Sequence, residues 1–436
     1  MPTKIDLFTS ASWQQGTRLV LPVVIVALVA CSRPTGVASP YHSWVGEVEN
    51  NRGNLVITNR AGYTLAERST LRPIATIGLA EGPDEYMLGR TWALAVDRQH
   101  VVVVDPSVPR IGVYDHAGVH LFDLGRAGQG PGEFLAPDSA GISADGRIIV
   151  RDRAGPKFEV FGVDGTHLDS WRITPSHMRN SPGHRIRVAS DGTAYMPGFR
   201  TEPDGTQLRT IWAYSEESTP SPHVSAPVKE EELGHQWMGI GPIRVPFAPE
   251  PVWATGPDGA LVKAGRAGYS ITLQAADGTW TTIRREADPV PTTSDERDWH
   301  RRFATYQARA ANGTHLTWQG PDIPSGKPFV RSIHVDRSGR IWVLRPGPGK
   351  PQSPCDESPE QTLRKWPITP CWVDRMLIDV VDADGRLATS IADPDGDFFA
   401  GRQGIIATSG DVVARSGEHD GIYQVRLYRL EPQPEP

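Results

Sequence analysis

The chain has 436 residues, a net charge of −6, 44 glycines and 39 prolines. Frequent Gly and Pro favour many turns over long helices. The lysines and arginines do not form the dense clusters that are typical of nucleic-acid-binding proteins. We therefore expect a turn-rich fold and no nucleic-acid partner.

The first 42 residues are typical of an export signal followed by a tether. Residues 19–30 form an apolar stretch that follows two basic residues, is too short to span a bilayer and fits a signal-peptide core. The stretch ends in Leu-Val-Ala-Cys31, which is similar to the processing site of bacterial lipoproteins. We predict a signal peptide over 1–30, a lipid anchor on Cys31 and a polar tether over 31–42. The alternatives are an uncleaved anchor and an ordinary signal peptide.

The sequence over 43–432 repeats one short pattern, which predicts a single domain. An apolar, β-branched run meets a tight turn and continues as a second such run, in six copies. The turns include Asp145-Gly146 and Ser338-Gly339, and such dipeptides tolerate the positive φ angles of two-residue hairpins. Small sheets that recur in this way must pack on their neighbours, which indicates a radial array.

The strand count predicts how the array closes. The first complete four-strand unit is expected over about 91–124, and four more follow. The last unit ends at 423–429 without a fourth strand, whereas 71–77 form a spare strand near the N-terminus. Pairing between these two segments would leave no open sheet edge. The predicted fold class is all-β: a six-bladed β-propeller of four-stranded antiparallel blades, with the ring closed by an N-terminal strand.

Two insertions interrupt the repeat. Thr293-Ser-Asp-Glu296 is a capping box followed by aromatic residues at helical spacing, which predicts one short helix. The Pro-rich segment 346–371 contains Cys355 and Cys371. Two remaining cysteines in an exported chain indicate a disulfide, which would close a loop of about sixteen residues.

One motif resembles a known family. Gly125-Arg-Ala-Gly-Gln-Gly-Pro-Gly-Glu-Phe134 is similar to the signature of an uncharacterised family of bacterial six-bladed β-propeller lipoproteins, relatives of the NHL-repeat propellers. Gly339-Arg-Ile-Trp-Val343 matches as well, and the resemblance covers roughly 45–432. It implies export, a lipid anchor and a propeller, and it supplies no catalytic residues.

The same motif has a physical interpretation. Four glycines and a proline make a sharp crossover between two blades. We expect Glu133 to accept hydrogen bonds from backbone N–H groups of the crossover and Phe134 to wedge between blades. The alternative is a catalytic Glu133 beside the central channel.

Few residues point to metal chemistry. His184 and His334 lie at or near predicted innermost strands, where a channel ligand would sit, but no zinc-type spacing and no Gly-x-Ser-x-Gly motif occurs. Asp393, Asp395 and Asp397 alternate as in a calcium loop, yet the glycine and glutamate of an EF-hand are missing. We predict no metal site and no cofactor, with a structural or channel calcium ion as the open alternative.

Arginines recur at one predicted position, the connection between the second and third strand of each blade. If they pointed inward they would ring the channel mouth and suit a carboxylate or phosphate ligand. The alternative is that each pairs with a nearby aspartate. The six residues are Arg110, Arg153, Arg200, Arg266, Arg345 and Arg415.

These features favour a monomeric, exported module of the bacterial cell envelope, held to a membrane by its lipid. We expect it to bind an envelope protein or an anionic small ligand without catalysing a reaction. The alternative is a propeller hydrolase or lactonase that uses a metal in the central channel. Propellers host both kinds of protein, so the fold does not choose between them.

Overall fold

The computed structural model describes most of the chain from residue 44 to residue 432. Cys31, His184 and the aspartates of 393–397 lie outside the described residues. The described ranges are 44–60, 69–89, 91, 93–107, 110–178, 186–216, 218–227, 235–237, 242–249, 252–312, 317–318, 320–356, 370–392, 405–419 and 421–432.

Three strands precede the first complete blade: β1 (Gly46–Asn51), β2 (Asn54–Asn59) and β3 (Ser69–Ile77). A 3₁₀ turn (Asp84–Tyr86) follows them. Blade 1 consists of β4 (Ala93–Val96), β5 (His100–Asp105), β6 (Arg110–Asp115) and β7 (His120–Leu124). The crossover to the next blade contains β8 (Arg126–Ala127) and β9 (Glu133–Phe134). Blade 2 consists of β10 (Pro137–Ile142), β11 (Ile148–Asp152), β12 (Lys157–Phe161) and β13 (His167–Arg172).

Helix α1 (Pro175–Met178) leads into blade 3. Blade 3 consists of β14 (Arg187–Val188), β15 (Ala194–Thr201), β16 (Gln207–Ser215) and β17 (Ser218–Pro227). A separate hairpin of β18 (His235–Trp237) and β19 (Pro242–Arg244) follows. Blade 4 contains β20 (Trp253–Thr255), β21 (Leu261–Ala264), β22 (Tyr269–Gln274) and β23 (Trp280–Arg285).

Helix α2 (Ser294–Asn312) separates blades 4 and 5. Blade 5 consists of β24 (Ser332–Val335), β25 (Ile341–Pro351), β26 (Trp372–Val381) and β27 (Leu387–Ala392). Blade 6 takes three strands from the C-terminus, β28 (Ile405–Ser409), β29 (Val412–His419) and β30 (Ile422–Pro432), and its fourth strand is β3.

The strand pairing confirms the predicted six-bladed propeller and the way it closes. β3 runs antiparallel to β30, with Leu71 opposite Leu430 and Ile77 opposite Val425. The first strands of neighbouring blades lie side by side, as β4 does beside both β10 and β28. These first strands therefore surround the ring axis and form the wall of a central channel.

Blade 4 is larger than predicted. β1 and β2 form a hairpin, and β2 adds to the outer edge of β23 in a parallel arrangement, which gives a six-stranded sheet. Arg52 and Gly53 form the tight turn with φ angles of 53° and 90°, as a two-residue hairpin requires. The apolar run Leu55-Val-Ile-Thr58 in β2 is typical of a short strand, whereas the sequence of β1 has no clear strand pattern.

Connections between strands lie on two opposite faces of the ring, because strand direction alternates within each antiparallel blade. The turns between first and second strands, and between third and fourth, form what we call the hairpin face. The remaining connections form the crossover face. On the hairpin face, Arg147 of blade 2 donates to the Asp191 carbonyl of blade 3 at 3.2 Å, and Arg340 of blade 5 donates to the Gly410 carbonyl of blade 6.

The two insertions meet on the crossover face. Glu296 and Thr293 form the predicted capping box, since the Glu296 N–H donates to Thr293 Oγ1 at 3.1 Å. Lys327 is buried against Glu296 at 2.8 Å and Asp374 at 2.5 Å. The segment 346–371 was predicted to be a Pro-rich insertion between the second and third strands of blade 5, and within it β25 and β26 continue pairing as far as Pro351 and Trp372. A disulfide joins Cys355 to Cys371, with the two Cα atoms 4.9 Å apart.

Within the described ranges, no helix is long and apolar enough to cross a membrane.

Candidate functional site

The wall of the central channel carries an arginine, and part of its guanidinium group has no hydrogen-bond partner among the described residues. Arg187 lies on β14, the first strand of blade 3. Its Nε and Nη2 atoms are buried and have no hydrogen-bond partner in the described structure. Burial lowers the pKa of Arg187 to about 10, opposed by the Asp336 carboxylate and assisted by the Arg337 guanidinium. Blade 4 separates Arg187 from these two blade-5 residues, so the side chain is directed toward the ring axis.

A second arginine crosses the channel at the hairpin face. Arg337, in the first turn of blade 5, donates from Nη2 to the carbonyl of Ser143 at 3.0 Å. Ser143 belongs to the corresponding turn of blade 2, which lies opposite blade 5 in a ring of six. Burial lowers the pKa of Arg337, and Asp97 and Arg98 of blade 1 lie within electrostatic range. Arg337 therefore spans this end of the channel and adds positive charge beside Arg187.

Asp336 is not free to accept a hydrogen bond from Arg187, because donors of its own blade already occupy both carboxylate oxygens. Oδ1 accepts from the Ser338 N–H at 2.8 Å and the Ser338 hydroxyl at 2.6 Å. Oδ2 accepts from Arg340 Nε and from the Trp342 indole, each at 3.1 Å. A carboxylate has about four acceptor positions, so the carboxylate that acts electrostatically on Arg187 has none free.

Arg187 has a distinctive register position. In each blade, the first and second strands are joined by a turn, and the residue pair next to that turn is the last pair of the two strands. In blade 3 this last pair is Val188 and Ala194, and Arg187 lies one pair further from the turn, opposite Tyr195. His334 of blade 5 occupies the same position opposite Trp342. In the other four blades this position carries Ala95, Gly141, Ala254 and Thr408. A charged side chain where most blades have a small residue is the sequence signal that would have identified Arg187.

The structure does not assemble the predicted ring of arginines. Among the five side chains that are described, Arg415 is buried over the ring of Tyr428 in its own blade, and Arg345 is buried over the ring of Tyr269 in the neighbouring blade 4. Arg345 also donates to Asp379 at 3.3 Å. The alternative of pairing with a nearby aspartate therefore holds for Arg345.

The other members of the set lie in different surroundings. Arg153 lies 3.8 Å from Asp138 with half its side chain exposed, and Arg200 pairs with Glu202. Arg266 is exposed on the turn between β21 and β22. The side chain of Arg110 is outside the described structure, as is the whole of His184.

Glu133 makes the hydrogen bonds that the structural interpretation of the motif predicted. Its carboxylate accepts from the Gly130 N–H at 2.9 Å and from Arg126 Nε at 2.9 Å. The Gly130 hydrogen bond, followed by the Arg126 hydrogen bond, lowers the pKa of Glu133. Phe134 is 1% exposed in a cluster with residues of blades 1 and 2, so it does wedge between these blades.

A neighbouring cluster has the residue types of a catalytic triad but not its geometry. Ser170 Oγ donates to Glu159 Oε2 at 2.6 Å, and His167 Nε2 lies 2.7 Å from the same oxygen and 3.2 Å from Ser170 Oγ. In a triad the histidine uses opposite ring nitrogens for the serine and the acid, whereas here one nitrogen faces both. Glu159 also accepts from the Gly132 N–H at 3.0 Å. The cluster attaches the crossover to blade 2.

Within the described residues, no group of three or more His, Cys, Asp or Glu side chains could hold a metal ion. The alternative function, a hydrolase or lactonase with a metal in the central channel, therefore stays a prediction.

Comparisons with known proteins add little to this description. No protein-family model matches the chain, and no curated protein matches it significantly. An exported-protein candidate of Bacteroides fragilis aligns at 10% identity over 87% of this chain and 100% of its own, with a TM-score of 0.43. A DUF4221-family member from Bacteroides vulgatus aligns at 11% over 84% and 99%, with a TM-score of 0.42. A gluconolactonase of Xanthomonas campestris aligns at 12% over 91% and 99%, with a TM-score of 0.39.

Structural similarity at these identities and TM-scores does not indicate a function for this chain. The fold rests on the strand pairing itself, and the family inferred from the crossover motif stays a prediction.

Proposed function

We propose that this chain is a non-catalytic binding module that holds an anionic ligand in its central channel. The observation that carries the proposal is the guanidinium of Arg187 in the channel wall, where two buried nitrogen atoms have no hydrogen-bond partner among the described residues. We also propose that the protein is held at the cell envelope by a lipid on Cys31, and this part of the proposal rests on the N-terminal sequence alone.

The physical reason is the cost of an uncompensated charge. Buried charges are normally paired or hydrogen-bonded, because removing them from water is unfavourable. The acceptor positions of Asp336 are already occupied, and Arg337 adds further positive charge. An anion from outside would supply the missing hydrogen bonds and balance the charge.

Thermal unfolding in the presence of small anions tests this proposal. The probes are sodium formate, sodium acetate and inorganic phosphate, each compared with sodium chloride at equal ionic strength. We expect at least one probe to stabilise the wild-type protein, by about 2.7 kcal/mol at a concentration of 100 Kd. Arg187→Met should lose this gain, whereas Arg266→Met, at an exposed arginine, should keep it.

Without any probe, Arg187→Met should unfold at the same temperature as the wild type or higher, because it removes an uncompensated charge. The proposal fails if no probe stabilises the wild type, or if Arg187→Met retains the full gain. It also fails if Arg187→Met alone strongly destabilises the protein, since Arg187 would then have a structural partner.

A further inference from the structure

We infer that the group bound by Arg187 is a planar carboxylate, which accepts two parallel hydrogen bonds from Nε and Nη2. This inference rests on the proposed channel site and specifies the chemistry of its ligand.

The two unpartnered atoms of Arg187 lie on one edge of the guanidinium. Nε–H and one N–H of Nη2 point in the same direction, and this edge matches the two oxygens of a carboxylate. A ligand that engaged only one of these atoms would leave the other buried and unsatisfied, which is unfavourable.

The neighbouring blade contains an occupied example of the same arrangement. Arg151 of β11 donates from Nε to Asp138 Oδ1 at 2.7 Å and from Nη2 to Asp138 Oδ2 at 3.0 Å. Both side chains are almost fully buried, with 2% and 3% exposed. Blade 2 supplies its own carboxylate from its first strand, whereas the first strand of blade 3 carries the guanidinium and leaves the corresponding edge empty.

The surroundings of Arg187 determine the charge of the partner. Asp336 acts electrostatically on Arg187 but has no oxygen free to accept a hydrogen bond from it, and Arg337 is the other charged group that acts on it. Arg337 is held in place by the Ser143 carbonyl. A neutral amide or carbonyl would satisfy the hydrogen bonds without balancing the charge, so an ionised carboxylate fits the site best.

Replacement of Arg187 by lysine separates bidentate recognition from simple charge attraction. Lysine keeps the positive charge but lacks the planar pair of donors. Acetate and inorganic phosphate are titrated by calorimetry into the wild type, Arg187→Lys and Arg266→Lys, the last being the exposed control. We expect wild-type protein to bind acetate more tightly than phosphate. Arg187→Lys should weaken acetate binding about tenfold or more, as for the loss of a charge-assisted hydrogen bond, and Arg266→Lys should bind as the wild type.

A second measurement keeps the inference testable if the lysine variant does not fold. In wild-type protein labelled with ¹⁵N-arginine, acetate should shift one Nε–H resonance, and that resonance should be missing from Arg187→Met.

The outcomes distinguish the inference from the proposal beneath it. Three results would overturn the bidentate carboxylate: Arg187→Lys binds acetate as tightly as the wild type, phosphate binds more tightly than acetate, or acetate does not shift the Arg187 Nε–H resonance. The proposal of anion binding in the channel would still stand. If neither acetate nor phosphate binds the wild type, both are wrong.

Discussion

Ring closure by β3 gives a prediction whose size follows from the structure. Leu71 is 2% exposed and packs in a cluster with Trp342 and other residues of blade 5. Ile77 is 0% exposed and packs in a different cluster, with Leu94 and other residues of blade 1. β3 therefore contributes to the hydrophobic cores on both sides of blade 6. Its loss would affect the interface with blade 5 and the interface with blade 1.

Truncation of each side chain measures this contribution. Leu71→Ala or Ile77→Ala should each lower the free energy of unfolding by about 2–5 kcal/mol, the range for buried Leu or Ile. Because the two residues belong to separate clusters, the double variant should lose the sum, about 4–10 kcal/mol. That is comparable with the entire stability of many proteins, about 5–15 kcal/mol.

The assay is urea unfolding followed by tryptophan fluorescence, and Thr76→Ala, at an exposed position of β3, is the matched control. We expect one cooperative transition in every variant, with the midpoint shifted by the two buried substitutions only. If Leu71→Ala and Ile77→Ala shift the midpoint no more than Thr76→Ala does, β3 does not hold the ring closed.

Three further predictions concern other parts of the chain. Lys327→Met should destabilise the protein by about 3–5 kcal/mol, because it leaves two carboxylates without their buried cation, whereas Lys350→Met, at an exposed site, should change the urea midpoint little. The pKa of Glu133 is lowered from its ordinary value of 4.5, so its stabilising effect is complete above that pH and is lost as the pH falls through the lowered value; Glu133→Gln should therefore reduce the midpoint at pH 7 and make little difference in strong acid. Intact-mass measurement of membrane-extracted protein should show a mature chain that begins at Cys31 and carries acyl mass; another N-terminus or no acyl mass would contradict the anchor.

Much of the fold could be predicted from local features of the sequence. Gly146 and Gly339 adopt φ angles of 87° and 82° in their turns, as expected for tight hairpins. The missing fourth strand of the last unit identified the partner of β3 correctly. Both inferences depend on a short strand-turn-strand pattern that occurs several times in the sequence. Each copy needs the same tight turn and the same strand pairing, so the copies support one another.

Long-range pairing was much harder to predict. Nothing near Asn54 indicates that β2 lies parallel to β23, more than two hundred residues away. Pro346 and Pro351 suggested an irregular loop, yet pairing continues past a register shift between Pro346 and Gly349. A bulge tolerates proline where a regular ladder does not, and the sequence does not show where such a bulge will form.

The arginines show why the candidate site could not be found from residue type and position alone. Arg151 and Arg345 have carboxylates of their own blades within hydrogen-bond distance, Asp138 at 2.7 Å and Asp379 at 3.3 Å. The strand partner of Arg187 is Tyr195, which offers no negative charge. Arg187 differs from these two arginines because the carboxylate that acts on it, Asp336, already accepts hydrogen bonds within its own blade. Such side-chain contacts cannot be predicted from residue type and position. Asp138 and Asp379 thus neutralise Arg151 and Arg345 within their own blades, whereas no described residue accepts a hydrogen bond from Nε or Nη2 of Arg187. This difference is the basis of the proposed anion site.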